Sequence, residues 1–263
     1  MSPGSSAVDY CRGFIESWLP GAMYPSEIAW FIDNFERSGC DVLIECGRQD
    51  AVSTEVLAAF FHGSGTKLIS IDFDENPVRA RRARERVQGY DVELVSGDIH
   101  LEVPRILRRC EGRKVAVLQD GPKGWEGLAT LLAAAISDEV VMIAQHNLHH
   151  GHVTRAVFQM LSLHPSFLEH TEAYDRYRPL IAAEREALRA KNPNRPMDHT
   201  SLGVMLTDPA QKRYIEDSFR LLKAVYGPWN PARVVSAWTR DDFGYVERVR
   251  KRSRFTPARF KAR

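Results

Sequence analysis

Residues 115–123 read Val-Ala-Val-Leu-Gln-Asp-Gly-Pro-Lys, and residues 140–147 read Val-Val-Met-Ile-Ala-Gln-His-Asn. Each stretch begins with a short apolar run, which is typical of a strand buried on both faces of a parallel sheet. Parallel α/β sheets place their working residues where strands end and loops begin. The two stretches therefore predict two strand ends that bring Asp120 and Lys123 near His146 and Asn147.

Strands and helices alternate along the central part of the chain. The apolar patterns predict five strands separated by helices of 10–12 residues. The strands are predicted at 41–46, 67–72, 91–95, 115–119 and 140–144, and the helices at 52–61, 76–87, 101–110, 125–136 and 151–163. This alternation requires right-handed crossovers. We therefore predict an α/β fold, a three-layer Rossmann-like sheet that is mostly parallel, with helices on both faces.

Further helices are predicted on both sides of this core. Residues 1–40 are expected to form a helical N-terminal lid or extension, and residues 41–207 the α/β domain. An insertion at about 173–200 interrupts that domain, and residues 208–263 follow as a C-terminal helix and a basic tail. Within these segments helices are predicted at 8–18, from Pro25 onward, near 178–191 and at 210–226, and a late strand pair at 166–171 and 202–206.

Composition narrows the class of protein. At 263 residues and 44% hydrophobic content, the chain suits one α/β domain with additions, or at most two domains. No apolar run approaches the roughly 20 residues that span a bilayer, and a secretory signal is not expected. The four cysteines form no CxxC pair, which favours reduced thiols in a cytoplasmic protein. We expect no membrane partner.

Charge is unevenly distributed along the chain. The net charge is +2, but the segment from Arg248 to Arg263 holds eight Lys or Arg residues and no acid. Such a tail can bind phosphate-rich partners such as RNA, or it can simply be solvated. Five further arginines, on the predicted helix 76–87, favour a solvated surface because they lie on successive helix faces alongside Glu85.

The ends of the first three strands suggest a nucleotide-like cofactor. Gly47 follows the first strand and would let the backbone approach a ligand closely. Asp72 ends the second strand, where a carboxylate can accept two hydrogen bonds from ribose hydroxyls. Gly97 and Asp98 follow the third strand and would face an adenine edge. Glu45 and Asp98 could instead cap helices, and Asp72 could be a turn residue.

A dinucleotide-binding fold is the main alternative on these grounds. It also uses glycine and a second-strand acid, but its GxGxxG motif is absent, since residues 47–51 read Gly-Arg-Gln-Asp-Ala. Without those glycines a pyrophosphate would fit poorly against the helix start. A cofactor with one ribose and no phosphate fits the sequence better.

The ordered set resembles the cation-dependent class I S-adenosylmethionine O-methyltransferases, the catechol and caffeoyl-CoA type, over roughly residues 26–206. The family's first motif is similar to E-x-G-x-x-x-G-x-S, which Glu45, Gly47 and Ser53 match, with Ala51 in place of the second glycine. Asp72 matches the ribose ligand. The resemblance implies S-adenosylmethionine as cofactor, with the binding residues Glu45, Gly47, Ala51, Ser53, Asp72, Gly97, Asp98 and Asp120.

The resemblance also implies a metal and a base. Asp120 and Lys123 reproduce a family spacing in which the Asp holds a divalent cation and the Lys takes the acceptor proton. His146 and Asn147 stand where the family has Asp-Asn. Because imidazole suits transition metals better than magnesium, two readings stay open. Either Asp120, His146 and Asn147 hold a cation (Mg, Mn or Zn), or none is bound and His146 is a base beside Lys123.

The function that the resemblance implies is O-methylation of a small hydroxylated metabolite by an S-adenosylmethionine-dependent methyltransferase. The other expected partner is a second copy of the chain in a homodimer. Two alternative functions are also consistent with the sequence. One is a non-catalytic member of the fold that binds cofactor or partner only. The other is an RNA-directed methyltransferase that uses the basic tail.

Overall fold

In a computed structural model of the chain, the described residues are 6–18, 22–121, 125–149, 153–191 and 201–226. Their strands are β1 (Val42–Cys46), β2 (Lys67–Asp72), β3 (Val92–Ser96), β4 (Val115–Gln119), β5 (Val140–Gln145), β6 (Ser166–Phe167) and β7 (Gly203–Leu206). Their α-helices are α1 (Ala7–Arg12), α2 (Pro25–Ser38), α3 (Val52–Phe61), α4 (Pro77–Arg86), α5 (Ile99–Arg108), α6 (Trp125–Ala135), α7 (Val153–Met160), α8 (Tyr174–Lys191) and α9 (Pro209–Tyr226).

The described strands form one sheet in the order β3-β2-β1-β4-β5-β7-β6. Strands β1 to β5 run parallel, and β7 runs antiparallel to both β5 and β6. The chain winds outward from β1 in one direction and then from β4 in the other. The crevice between the ends of β1 and β4 is thus a topological switch point, where open α/β sheets bind their ligands.

Helices cover both faces of this sheet, which confirms the predicted three-layer α/β fold. Alternate strand residues point to opposite faces. On β4, Ala116 and Leu118 pack in a cluster with residues of α2, α3 and α8, whereas Val115 and Val117 pack with residues of α5, α6 and α9. Strand β4 is buried along its whole length, as its unbroken apolar run predicts.

Helix α2 is packed into the core rather than lying apart from it. Pro25 occupies its first turn, where the fixed φ of proline suits a helix start. Phe31, Ile32 and Phe35 lie in the same cluster as Leu43 of β1. Helix α8 packs against α1 and α2, so the N-terminal segment and the insertion together form part of one helical layer.

Helix α1 and strand β6 are much shorter than the sequence predicts. Helix α1 ends at Arg12 instead of Trp18, because Gly13 follows it as the C-cap. A glycine inside a helix costs about 1 kcal/mol relative to alanine. The predicted strand 166–171 pairs only at Ser166 and Phe167, since Leu168–His170 form a 3₁₀ turn.

The four cysteines are all buried and unpaired, as expected of reduced structural thiols. They are Cys11, Cys40, Cys46 and Cys110. Among the described helices, none combines the length and apolar character needed to cross a lipid bilayer.

Candidate active site

The loops after β1 and β4 touch each other through two glycines. Gly47 has φ +90°, a conformation that other residues rarely adopt. A Cβ atom on Gly47 would lie 2.2 Å from the Cα of Gly121, so no larger residue fits there without moving the second loop. A Cβ on Gly121 would in turn lie 3.1 Å from the carbonyl oxygen of Cys46. Glycine at both positions therefore lets the two loops pack together at the switch point.

Asp72 stands at the end of β2 and binds the first loop. Its Oδ2 accepts hydrogen bonds from the backbone N–H groups of Arg48 and Gln49, at 2.9 and 3.0 Å. Its Oδ1 accepts the backbone N–H of Asp74 at 3.0 Å. Burial raises the pKa of Asp72, but these three N–H groups outweigh it and hold the pKa below its ordinary value. The carboxylate is ionised at neutral pH.

These bonds limit what Asp72 can still accept. A carboxylate offers about four lone-pair sites, and three are used. Asp72 therefore has capacity for one further hydrogen bond, not the two that the sequence suggested. The N–H groups of Arg48 and Gln49, which a pyrophosphate would need, already donate to this carboxylate.

A cavity of about 310 Å³ opens at these loops. This volume lies at the lower end of the range for ligand pockets, roughly 300–1,000 Å³. Of the predicted cofactor residues, Gly47, Asp72 and Asp120 line it. Its other lining residues are Gln49, Phe73, Asp74, Glu75, Asn76, Arg79, Ala80, Ile99 and Gly121. The lining thus holds four acidic side chains and one arginine.

Arg48 is a buried residue that the sequence did not single out. Its guanidinium forms an ion pair with Asp74 and donates to the carbonyl oxygens of Ser70 and Val95, at 2.8 and 3.0 Å. The side chain thus crosses beneath the loop, from β1 to the ends of β2 and β3. Nothing in the local sequence signals this role, because an arginine after a strand usually reads as a surface residue.

Glu45, Ser53 and Ala51 lie beside the cavity but not in its lining. Glu45 is fully buried, and its oxygens accept from the hydroxyls of Ser53, Thr54 and Ser70 at 2.9, 2.6 and 2.7 Å. Burial raises the pKa of Glu45, although the three hydroxyls act against it. Ala51, at φ +57°, begins α3 in the left-handed conformation. This group fixes the start of α3 against the sheet.

Gly97 and Asp98 also lie outside the cavity lining. The Oδ1 of Asp98 accepts the backbone N–H of His100 at 2.9 Å, so Asp98 is the N-cap of α5. Gly97 donates its backbone N–H to the carbonyl of Asp72 at 2.9 Å. Asp98 thus caps a helix, which the sequence analysis gave as one of its two possible roles.

Asp120 and His146 meet at the ends of β4 and β5, as predicted. The Oδ1 of Asp120 lies 2.7 Å from the Nδ1 of His146, whose ring is buried. The two residues follow adjacent strands, and both point to the face that α2 covers. Asn147 follows with φ +63°, and its side-chain oxygen has no hydrogen-bond partner among the described residues.

Glu27 completes this group from the other end of the chain. Its Oε2 lies 3.4 Å from the Nε2 of His146, and its side chain is fully buried. The sequence motif Pro-Ser-Glu reads as a helix start, which it also is, and this local signal gave no reason to expect a site residue. Only the packing of α2 over the ends of β4 and β5 places Glu27 here.

The two carboxylates determine the charge of the imidazole between them. Burial lowers the pKa of His146, but the carboxylate of Asp120, assisted by Glu27, raises it to about 10. His146 is therefore a cation at neutral pH. This state does not suit the general base that the sequence offered as one reading, because a base must start without the proton.

The same contacts do not fit a metal site. A metal would have to displace Asp120 from the Nδ1 atom of His146 to reach its lone pair. Among the residues described here, no group of three or more His, Cys, Asp or Glu is arranged to hold an ion. The structure brings Asp120 and His146 together in direct contact with each other.

Several predicted residues fall outside the described part of the chain. These are Lys123, the histidines at 150 and 152, and the basic tail from Arg248 to Arg263. On α4, Arg79 and Arg82 approach Asp50 at 3.6 and 3.7 Å. Arg86 pairs with Glu55, and Arg81 with Glu85. These pairs agree with a solvated, charge-balanced surface.

Known proteins resemble the chain in fold at low sequence identity. No family model matches it, and no curated protein matches its sequence significantly. An O-methyltransferase from Bacillus cereus, solved in complex with SAH, is 16% identical with a TM-score of 0.45, covering 79% of this chain and 93% of its own. An SAH-bound methyltransferase from Podospora anserina is 14% identical with a TM-score of 0.42, covering 78% and 89%. The function has to be inferred from this chain's own residues.

Proposed function

We infer that the chain is an S-adenosylmethionine-dependent methyltransferase that methylates a hydroxyl group of a small molecule. The observation that carries this proposal is the acid-lined cavity at the switch point. Gly47 and Gly121 line it with backbone that carries no side chain, and Asp72 offers one hydrogen-bond acceptor. The expectation from the motif order points to the same cofactor.

The charge of the cavity supports this cofactor over a dinucleotide. S-adenosylmethionine carries a sulfonium group, an ammonium group, one carboxylate and no phosphate, so its net charge is positive and suits a cavity whose lining holds four acids and one arginine. A pyrophosphate needs free backbone N–H groups at a helix start. Here the N–H groups of Arg48 and Gln49 donate to Asp72. A dinucleotide would have to displace the carboxylate of Asp72 from these N–H groups.

Asp120, Asn147 and Lys123 have different roles in the proposed methyl transfer. When bound, S-adenosylmethionine supplies an electrophilic methyl carbon, so the protein has chiefly to align an acceptor oxygen with it. Asp120 lies between the cavity and His146 and is the group we expect beside that carbon. The side-chain oxygen of Asn147 can accept the acceptor's hydroxyl proton in a hydrogen bond. Lys123 stays our candidate for the base that finally takes this proton.

Calorimetry with S-adenosylmethionine and S-adenosylhomocysteine (SAH) tests the proposal. We expect one molecule of either to bind per chain. Asp72→Asn should weaken SAH binding on the order of 10-fold, because it loses one charged acceptor, typically worth about 1.5–3 kcal/mol. Asp98→Asn is the matched control, since Asp98 caps α5 outside the cavity lining.

Two calorimetric results would contradict different parts of the proposal. Wild-type protein that binds neither compound would contradict the proposed cofactor. Equal losses in Asp72→Asn and Asp98→Asn would contradict the placement of the cofactor in this cavity. Circular dichroism of both variants checks that the fold is retained.

A further inference from the structure

Glu27 connects three segments that are remote in sequence. Its Oε1 accepts the backbone N–H of Leu202 at 3.0 Å and the hydroxyl of Ser201. Its Oε2 accepts the backbone N–H of Tyr24 at 3.2 Å and lies 3.4 Å from the Nε2 of His146. One buried carboxylate thus fixes the start of α2, the start of β7 and the ring at the end of β5.

The His146 ring is held at both of its nitrogens. Nδ1 lies 2.7 Å from Asp120, and Nε2 faces Glu27. Each ring nitrogen thus has a carboxylate oxygen as its partner. With both nitrogens occupied in this way, the ring fills the space between the two carboxylates.

Glu27 is buried and Asp120 partly buried, and two carboxylates on either side of one ring need a positive partner. A pair of this kind would repel strongly if both were ionised with nothing between them. A divalent ion is one partner that joins carboxylates, and an imidazole ring with two N–H donors is another. In this structure the imidazole ring of His146 lies between the two carboxylates.

We propose that the His146 ring, held by Glu27 and Asp120, occupies the place of a divalent cation at these strand ends, and that Glu27 is the positioning residue that keeps it there. It follows that methyl transfer by this chain needs no divalent cation. This last step rests on the function proposed above. The Mg, Mn or Zn ion that the sequence resemblance implied is then replaced by a side chain.

Titration with Mn²⁺ alone, followed by calorimetry, tests the replacement. Wild-type protein should bind no Mn²⁺. The variant His146→Asp restores the carboxylate that the sequence resemblance expects and should gain one Mn²⁺ site. The control His164→Asp makes the same change at an exposed histidine outside the site and should gain none.

Each result bears on the proposal. A Mn²⁺ site in wild-type protein that is lost in Asp120→Asn would overturn it. A folded His146→Asp that binds no Mn²⁺ would also overturn it, because the ring would not then stand in a cation's place. Neither titration contains cofactor or acceptor. Failure of the proposed cofactor binding would appear in the SAH calorimetry and leave these results standing.

Proton NMR of the ring tests the role of Glu27. Both ring N–H groups of His146 are buried against carboxylates and should give slowly exchanging downfield signals, identified by their loss in His146→Asn. Glu27→Gln should shift the Nε2–H signal. It should also lower kcat for methyl transfer on the order of 10- to 100-fold with little change in SAH affinity.

Glu184→Gln is the matched control for this measurement. Glu184 is an equally buried glutamate that binds the neighbouring Ser26 and not the ring. It should leave both ring signals and kcat unchanged. If Glu27→Gln leaves both ring signals where they are, Glu27 does not position the ring. If the two variants reduce kcat alike, the role of Glu27 is only structural, and the proposal fails on that point.

Discussion

At the scale of single residues, Arg48 supports the loop that lines the cavity at the switch point. Its guanidinium holds Asp74, and the backbone N–H of Asp74 in turn donates to Asp72. The pair is buried, with side-chain exposures of 2% and 11%. Removing one partner from such a pair leaves an uncompensated charge, which typically costs about 3–5 kcal/mol. The charge of Arg48 therefore acts on a ligand site that the side chain itself does not line.

We predict that Arg48→Met lowers the free energy of unfolding by about 3 kcal/mol and weakens SAH binding. The double variant Arg48→Met/Asp74→Asn should recover part of the stability, because the orphaned carboxylate is gone. Urea denaturation measures both. The control Arg81→Met removes an exposed pair with Glu85, at 69% and 64% exposure, and should change stability by less than about 1 kcal/mol. Equal losses in the two single variants would contradict this reading.

At the scale of elements, the turn between β1 and α3 carries local strain. Gln49 and Ala51 both adopt positive φ, at +46° and +57°, where glycine is the usual residue. A non-glycine residue in this conformation costs roughly 1–2 kcal/mol. The methyl group of Ala51 is fully buried against Ala83 and Val87, and burial of one such group returns about 0.8 kcal/mol. Gln49 is exposed and has no such compensation.

We therefore predict that Gln49→Gly raises the free energy of unfolding by about 0.5–1 kcal/mol. Ala51→Gly should change it less, because the relief of strain is offset by the lost methyl contact. Gln49→Ala keeps the strain and is the control. Chemical denaturation of the three variants is the measurement. A stabilised Gln49→Ala would show that the side chain, and not the backbone conformation, is the source of the cost.

The same elements show what the sequence could predict. Helix α3 (Val52–Phe61) and strand β4 (Val115–Gln119) have the predicted bounds, because long apolar patterns and buried runs are local signals. The meeting of Asp120 and His146 was also predictable, since both follow adjacent parallel strands. Glu27 was not, because its local signal is that of a helix cap.

At the scale of the whole molecule, buried carboxylates join the helical layer to the sheet. Glu184 of α8 accepts the backbone N–H and the hydroxyl of Ser26, next to Glu27. Burial raises the pKa of Glu184 to about 8, although the bonds from Ser26 act against it. Glu184 is thus protonated at neutral pH in the folded protein. In the unfolded chain it would already be ionised above its ordinary value of 4.5.

A decline of stability toward alkaline pH follows. The folded state binds one more proton at Glu184 than the unfolded state between pH 4.5 and about 8, so the free energy of unfolding falls as pH rises through this window. We predict that Glu184→Gln removes this part of the decline and is more stable than wild type at pH 9, by an amount on the order of a few kcal/mol.

Urea denaturation at pH 5, 7 and 9 measures this difference. Glu186→Gln, an exposed glutamate on the same helix, should follow the wild-type curve. His146 contributes its own alkaline loss between pH 6.5 and about 10, because its stabilising charge disappears there. That loss is common to all three proteins and cancels in the comparison. Parallel curves for wild type and Glu184→Gln would contradict the raised pKa.

The contacts of Glu27 also determine when the site can form during synthesis of the chain. Its carboxylate binds Leu202, which enters the chain 175 residues later. During synthesis, at roughly 5–20 residues per second, this bond has to wait at least several seconds for its partner. His146 is synthesised before Leu202, so Glu27 in the unfinished chain can contact His146 but does not yet have its bond to Leu202. The site thus begins near the first helices and is completed only when β7 joins the sheet, which makes it one of the last parts of the protein to mature.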